Sequence, residues 1–242
     1  MHDGLYLQDL FLVFVIATVA SAAALHHVSD FGDNPGDNEM WIYVPNELPP
    51  DPPIIVADLG YLLIYPGTIH GFACWDLNTN ESLTHNGGSD RLSTVNMVQY
   101  TLDTYNDDPN KVFAMGSSSG TLMALGLAAT YPDVFSAVSA YNGIPFGCFR
   151  GQTGSSPFTA SRACEWAEEV HKAWSHYDGE YPKVQVWHGT SDLVISFENL
   201  KEIEKQWSLL LGLSSLEAFR AEGVGHPVPT NVDESLTWFG LV

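Results

Sequence analysis

The chain has 242 residues, 29 acidic and 9 basic, for a formal net charge of −20 at neutral pH. That excess of carboxylates repels phosphate backbones and anionic headgroups, which argues against nucleic acid or a membrane surface as partner and for a neutral substrate. With 45% hydrophobic and only 16% charged residues, the chain can bury one sizeable core and is not disordered.

The N-terminus differs from the rest. Leu10 to Ala20 is an apolar run too short to span a bilayer, and small residues follow it from Ser21 to Ala24. This reads as a secretory signal over residues 1–22, with Ala20-Ser21-Ala22 as an A-x-A cleavage site, although Met1 to Asp9 carries two Asp and no Lys or Arg. Residues 23–242 are then expected to form one secreted, extracellular domain, acting as a monomer. In an oxidising compartment Cys148 and Cys164, which enclose a short Gly/Ser/Thr-rich loop, are the natural pair, and Cys74 is left over. The exposed mature terminus would carry His26-His27, and Asn80-Glu81-Ser82 is the N-glycosylation sequon. No Cys-x-x-Cys or His-Glu-x-x-His spacing occurs, so a metal site has no support.

In chain order, Met40 to Val44 reads as a strand that stops at Pro45. Pro53 to Ala57 and Tyr61 to Tyr65 read as two more, separated by Asp58-Leu59-Gly60. A parallel crossover takes about a dozen residues or more, so these two strands either form an antiparallel hairpin or lack a connecting segment. Leu92, Val95, Val98, Leu102 and Tyr105 recur at helical spacing, and that helix ends before Asp108-Pro109. The strand Lys111 to Met115, the helix Thr121 to Thr130 and the strand Phe135 to Ala140 come next. A helix at Glu165 to Trp174, the strand Val184 to Trp187, a helix marked by Phe197 to Leu210 and a short one at Ser235 to Phe239 complete the pattern. Alternation of this kind predicts an α/β protein, a mostly parallel sheet with helices on both faces.

Gly116-Ser117-Ser118-Ser119-Gly120 matches G-x-S-x-G. Three adjacent serines also suit an ordinary loop. Here, however, a strand precedes them and a small-residue helix follows, which is the setting of a nucleophile elbow. A serine hydroxyl needs a histidine base, and the base needs an orienting carboxylate, in the chain order Ser, acid, His. His188-Gly189-Thr190-Ser191-Asp192 puts Asp192 just past a strand's carboxyl end, and His226 sits in the glycine-flanked Gly223-Val224-Gly225-His226-Pro227. Ser118 is therefore the candidate nucleophile, Asp192 the acid and His226 the base; Asp233 and Glu234 follow His226 and are out of order. The backbone N–H of Ser119 is the candidate oxyanion donor. His85 and Trp75 are open to two readings, groove-lining or structural.

Trp75-Asp76, the stretch Ser82 to Gly88, Gly116 to Gly120, Tyr131 to Phe135, Gly147-Cys148-Phe149 and Gly223 to His226 resemble the secreted fungal acetylxylan esterases of carbohydrate esterase family one, relatives of feruloyl esterases and polyhydroxyalkanoate depolymerases. The resemblance spans nearly the whole mature chain. It implies an α/β-hydrolase fold and cofactor-free removal of acetyl groups from xylan, with feruloyl or polyester hydrolysis as the alternative. It also maps the family's serine, acid and histidine onto Ser118, Asp192 and His226. Relatives are longer in two places. One is between Ala57 and Tyr61, where they carry a loop bearing the second oxyanion donor and a Cys that would pair with Cys74. The other is between Trp207 and Gly223, where they have a further strand. Loss of one oxyanion donor typically costs about 10²–10³ in kcat, so the shortening also implies an impaired hydrolase as a third reading.

Overall fold

The alternating pattern becomes a single eight-stranded sheet. The computed structural model describes residues 24–56, 61–68, 75–151, 166–211 and 213–242. The elements are β1 (Ala24–Val28), β2 (Glu39–Val44), β3 (Ile54–Val56), β4 (Leu62–Gly67), α1 (Ser89–Tyr105), β5 (Val112–Ser117), α2 (Ser119–Thr130), β6 (Ala137–Tyr141), α3 (Trp166–Ala173), β7 (Lys183–Gly189), α4 (Glu198–Ser208), β8 (Leu216–Ala221) and α5 (Val232–Phe239). The sheet order is β1-β2-β4-β3-β5-β6-β7-β8; β2 is antiparallel to both its neighbours and every other pair is parallel. The α/β-hydrolase architecture expected from the sequence is the one observed. The expected signal segment 1–22, Cys74 and Cys164 lie outside the described residues.

Strand alternation sorts the core into two layers. Ile54, Val56, Leu62, Ile64, Val112, Ala114, Val138, Val184 and Val186 point to the face covered by helices α1 to α4, where Leu125, Leu127, Ile203 and Trp207 meet them. Ile55, Leu63 and Phe113 point the other way, onto Leu236 and Phe239 of α5, with the Phe113 and Phe239 rings stacked at 4.6 Å. In α1 the helix is where the spacing predicts it, but its buried face differs. Ser93, Thr94, Met97 and Thr101 are buried alongside Val98, while Leu92, Val95, Leu102 and Tyr105 are half-buried. The hydroxyls tolerate burial because Thr94 and Thr101 donate to carbonyls one turn back, Asp90 O and Met97 O.

Two strands were not expected. β1 and β8 are the two edges of the sheet. β8 occupies Leu216–Ala221, inside the stretch read as shortened, so the strand ahead of the histidine loop is retained. β3 and β4 are parallel, Ile54 beside Leu62 and Val56 beside Ile64, which overturns the hairpin alternative. Only five residues separate Val56 from Leu62, too few for a crossover helix.

Candidate active site

Strand β5 runs into α2 through Ser118, whose backbone sits at φ 55°, ψ −119°, a region that a non-glycine residue occupies only when its surroundings over-determine it. Several contacts do so. Ser118 N–H donates to Tyr141 O at 2.8 Å, and Thr121 N–H closes the turn on Ser118 O at 3.0 Å. The turn is so tight that a Cβ on Gly116 would lie 2.2 Å from Gly120 O. That is the physical reason for the first glycine of the motif. The nucleophile candidate is thereby raised at the carboxyl edge of the sheet, at the N-terminus of α2.

The candidate acid and base come to it from the ends of two neighbouring strands. Asp192 follows β7 and His226 follows β8. His226 Nε2 is 2.9 Å from Ser118 Oγ, and His226 Nδ1 is 2.8 Å from Asp192 Oδ2. The structure thus brings together all three residues singled out in the sequence. The Asp192 side chain is fully buried and that of His226 is 13% exposed. Burial alone would raise the Asp192 pKa; the donors it collects outweigh that and hold the carboxyl below its usual range. Oδ1 accepts the N–H groups of Ile195 and Val194, each at 2.8 Å. Oδ2 accepts His226 and also Asn142 Nδ2 at 2.6 Å.

Two further residues stand at the site to which the sequence reading gave no role there. Asn142 follows β6 in a left-handed conformation and is fully buried. His188, at the end of β7, is also buried; its Nε2 is 3.0 Å from Ile195 O and 3.5 Å from Asp192 Oδ2. Desolvation lowers the His188 pKa, against the smaller opposing effects of the Ile195 carbonyl and of Asp192. Ser119, the first residue of α2, has one of the backbone N–H groups that lack an intrahelical acceptor, as an oxyanion donor requires. The second donor would come from the β3–β4 connection, of which residues 57–60 lie outside the described residues.

The two ambiguous aromatics separate. Trp75 stands beside the elbow, its backbone N–H donating to Ser119 Oγ at 3.1 Å. His85 belongs to the other end of α2: it stacks on Trp174 at 3.6 Å, places Nδ1 2.6 Å from Thr130 O, and accepts Asn86 Nδ2 on Nε2 at 2.9 Å. It is a structural histidine. The Asn80 side chain is exposed, as a sequon requires, and accepts Arg150 Nη1 at 3.1 Å. Among the described residues no cluster of His, Cys, Asp and Glu could hold a metal.

A parallel-rich sheet in this strand order, with Ser, His and Asp hydrogen-bonded in series at its carboxyl edge, has the architecture of the α/β-hydrolase fold. The profile of the family described as Esterase PHB depolymerase matches residues 54–225, and the chain belongs to that family. Feruloyl esterase B of Talaromyces stipitatus is 42% identical over 286 aligned positions, covering 96% of this chain and 80% of that protein. Acetylxylan esterase A of Aspergillus awamori is 32% identical, covering 95% and 98% respectively. The solved acetyl xylan esterase from Aspergillus awamori superposes with a TM-score of 0.85 at 33% identity, over 90% of this chain and 100% of that one. The 286 positions aligned with the Talaromyces protein exceed the 242 residues of this chain, so that relative carries stretches missing here.

Proposed function

We propose that this chain is a secreted serine carboxylesterase that cleaves ester substituents from plant cell-wall xylan, with Ser118 as nucleophile, His226 as general base and Asp192 as orienting acid. The observation that carries this reading is the pair of hydrogen bonds, 2.9 and 2.8 Å, linking Ser118 through His226 to Asp192. His226 Nε2 takes the hydroxyl proton as Ser118 Oγ attacks the ester carbonyl, and Asp192 stabilises the imidazolium that forms. The tetrahedral oxyanion is held by Ser119 N–H. His226 then passes its proton to the leaving sugar oxygen and an acyl-enzyme remains. Water enters by the reverse route, with His226 again as base, and the carboxylic acid departs. Every proton moved is carried by a side chain of the protein, so the cycle needs no cofactor.

Acetyl is the substituent implied by the likeness to acetylxylan esterases. Feruloyl is the second reading, favoured by the higher identity to the Talaromyces feruloyl esterase B. Residues 1–22 serve as signal peptide in this reading, residues 23–242 as one monomeric extracellular domain, Asn80 as glycan acceptor and Cys148 as the partner of Cys164.

Hydrolysis of 4-nitrophenyl acetate and of methyl ferulate, beside release of acetate from acetylated xylan, separates the two readings. Ser118→Ala is expected to lower kcat by about 10⁴-fold or more on whichever ester is turned over. Wild-type activity no greater than that of Ser118→Ala would overturn the esterase proposal.

A further inference from the structure

Asn142 is placed where a single side chain can tie the acid to the base. Its Nδ2 donates to Asp192 Oδ2 at 2.6 Å, and its Oδ1 accepts the N–H of Val228, two residues beyond His226, at 2.6 Å. Its own N–H donates to Trp187 O at 2.8 Å, which fixes it to β7, the strand that delivers Asp192. The residue is fully buried, and its backbone lies at φ 56°, a conformation that Asn tolerates better than most residues. Both ends of its amide are thus committed, one to the carboxylate of the acid loop and one to the backbone of the histidine loop. Among the described residues, the titratable groups facing the Asp192 carboxylate are His226 and His188.

We infer that Asn142 is a positioning residue for the reaction, setting the Asp192 carboxylate and the His226 loop in register. The inference rests on the Ser118–His226–Asp192 reading. The physical reason is that Oδ2 accepts two donors at once, so the carboxylate cannot rotate away from His226 without breaking the shorter of the two bonds.

The test is a cycle of Asn142→Gly, which removes the amide without straining the left-handed backbone, Asp192→Ala, and the two combined. Asn142→Gly is expected to lower kcat between about 10- and 100-fold with KM changed less than about twofold. The double variant should be as active as Asp192→Ala alone, because Asn142 acts through that carboxylate. Wild-type kcat in Asn142→Gly, or losses that multiply in the double variant, would overturn the inference. Should Asn142→Gly fail to fold, Asn142→Asp keeps the acceptor for Val228 and replaces only the donor. Its activity relative to wild type must then vary with pH, since two carboxylates share one proton, and a pH-independent ratio counts against the role.

The low-field NMR resonance of the His226 Nδ1 proton gives a readout that does not depend on turnover. Its loss in Asn142→Gly supports positioning even if the wild-type protein hydrolyses no ester, which separates failure of this inference from failure of the esterase proposal. Persistence of that resonance unchanged overturns the inference.

Discussion

Asp107 is a buried carboxyl whose charge opposes folding. It follows the left-handed cap of α1 at Asn106, is 7% exposed, and neither carboxyl oxygen has a hydrogen-bond partner. Desolvation pushes its pKa up to about 7. In the unfolded chain the same group titrates near 3.8. Between those values the folded state holds the extra proton, so this group's contribution to stability is most favourable at low pH and is lost as pH rises towards 7, each pKa unit being worth about 1.4 kcal/mol. Asn is the uncharged isostere. Asp107→Asn is therefore expected to raise the melting temperature at pH 8 and to give little gain at pH 4. Equal gains at both pH values in thermal melts would show that the charge is not the cause. Asp192 is buried as well, but its four donors reverse the outcome and keep it ionised, as its proposed role requires.

At the scale of elements, the site is a meeting of strand ends. The loops after β7 and β8 are laced together: Thr190 N–H donates to Ala221 O and Ser191 N–H to Val224 O, each at 3.0 Å, while Thr190 Oγ1 accepts Gly223 N–H at 2.9 Å. This close approach needs a glycine, because a Cβ on Gly189 would sit 2.2 Å from Val224 O. Gly189→Ala must part the two loops, and overpacking of this kind costs about 1–3 kcal/mol. Steady-state assays and thermal melts should show a lower melting temperature and a kcat reduced by about 10²-fold, since a displacement near 1 Å is enough for that. Wild-type kinetics would mean that the loops reach catalytic register independently.

Over the whole molecule, the two faces of the sheet are unequally covered. Helices α1 to α4 lie on one face, and among the described helices α5 alone packs on the other. The parallel pair β3–β4 has no crossover helix of its own to add there. An open cavity of about 370 Å³ remains on that side, next to the elbow, lined by Tyr65, Met115, Gly116, Ser117, Tyr141, Thr230 and Val232. Exposed apolar surface of this kind binds hydrophobic dyes. The native protein is expected to enhance anilinonaphthalene sulfonate fluorescence at neutral pH without denaturant. Val232→Glu, which adds a carboxylate at the acid-tolerant first turn of α5, should reduce that signal with the far-UV circular dichroism unchanged. Fluorescence unaffected by the substitution would place the dye elsewhere.

The three residues that the structure brings together were legible in the sequence because each carries a local signature: glycines at fixed spacing around Ser118, a strand-to-turn Asp192, a glycine-flanked His226. The helices and central strands were legible for the same reason, being long apolar runs or strongly periodic. β1 and β8 were not, since an edge strand pairs on one side only and needs no continuous apolar run; Leu25, His26 and His27 are exposed, and β8 is half-buried over most of its length. The sequence alone singled out Ser118, Asp192 and His226, because each is marked by residue type and local backbone pattern. Only the tertiary structure decided that Asn142 reaches the Asp192 carboxylate and that β3 and β4 run parallel. Those facts come from which strands lie side by side, and no local stretch of chain encodes that.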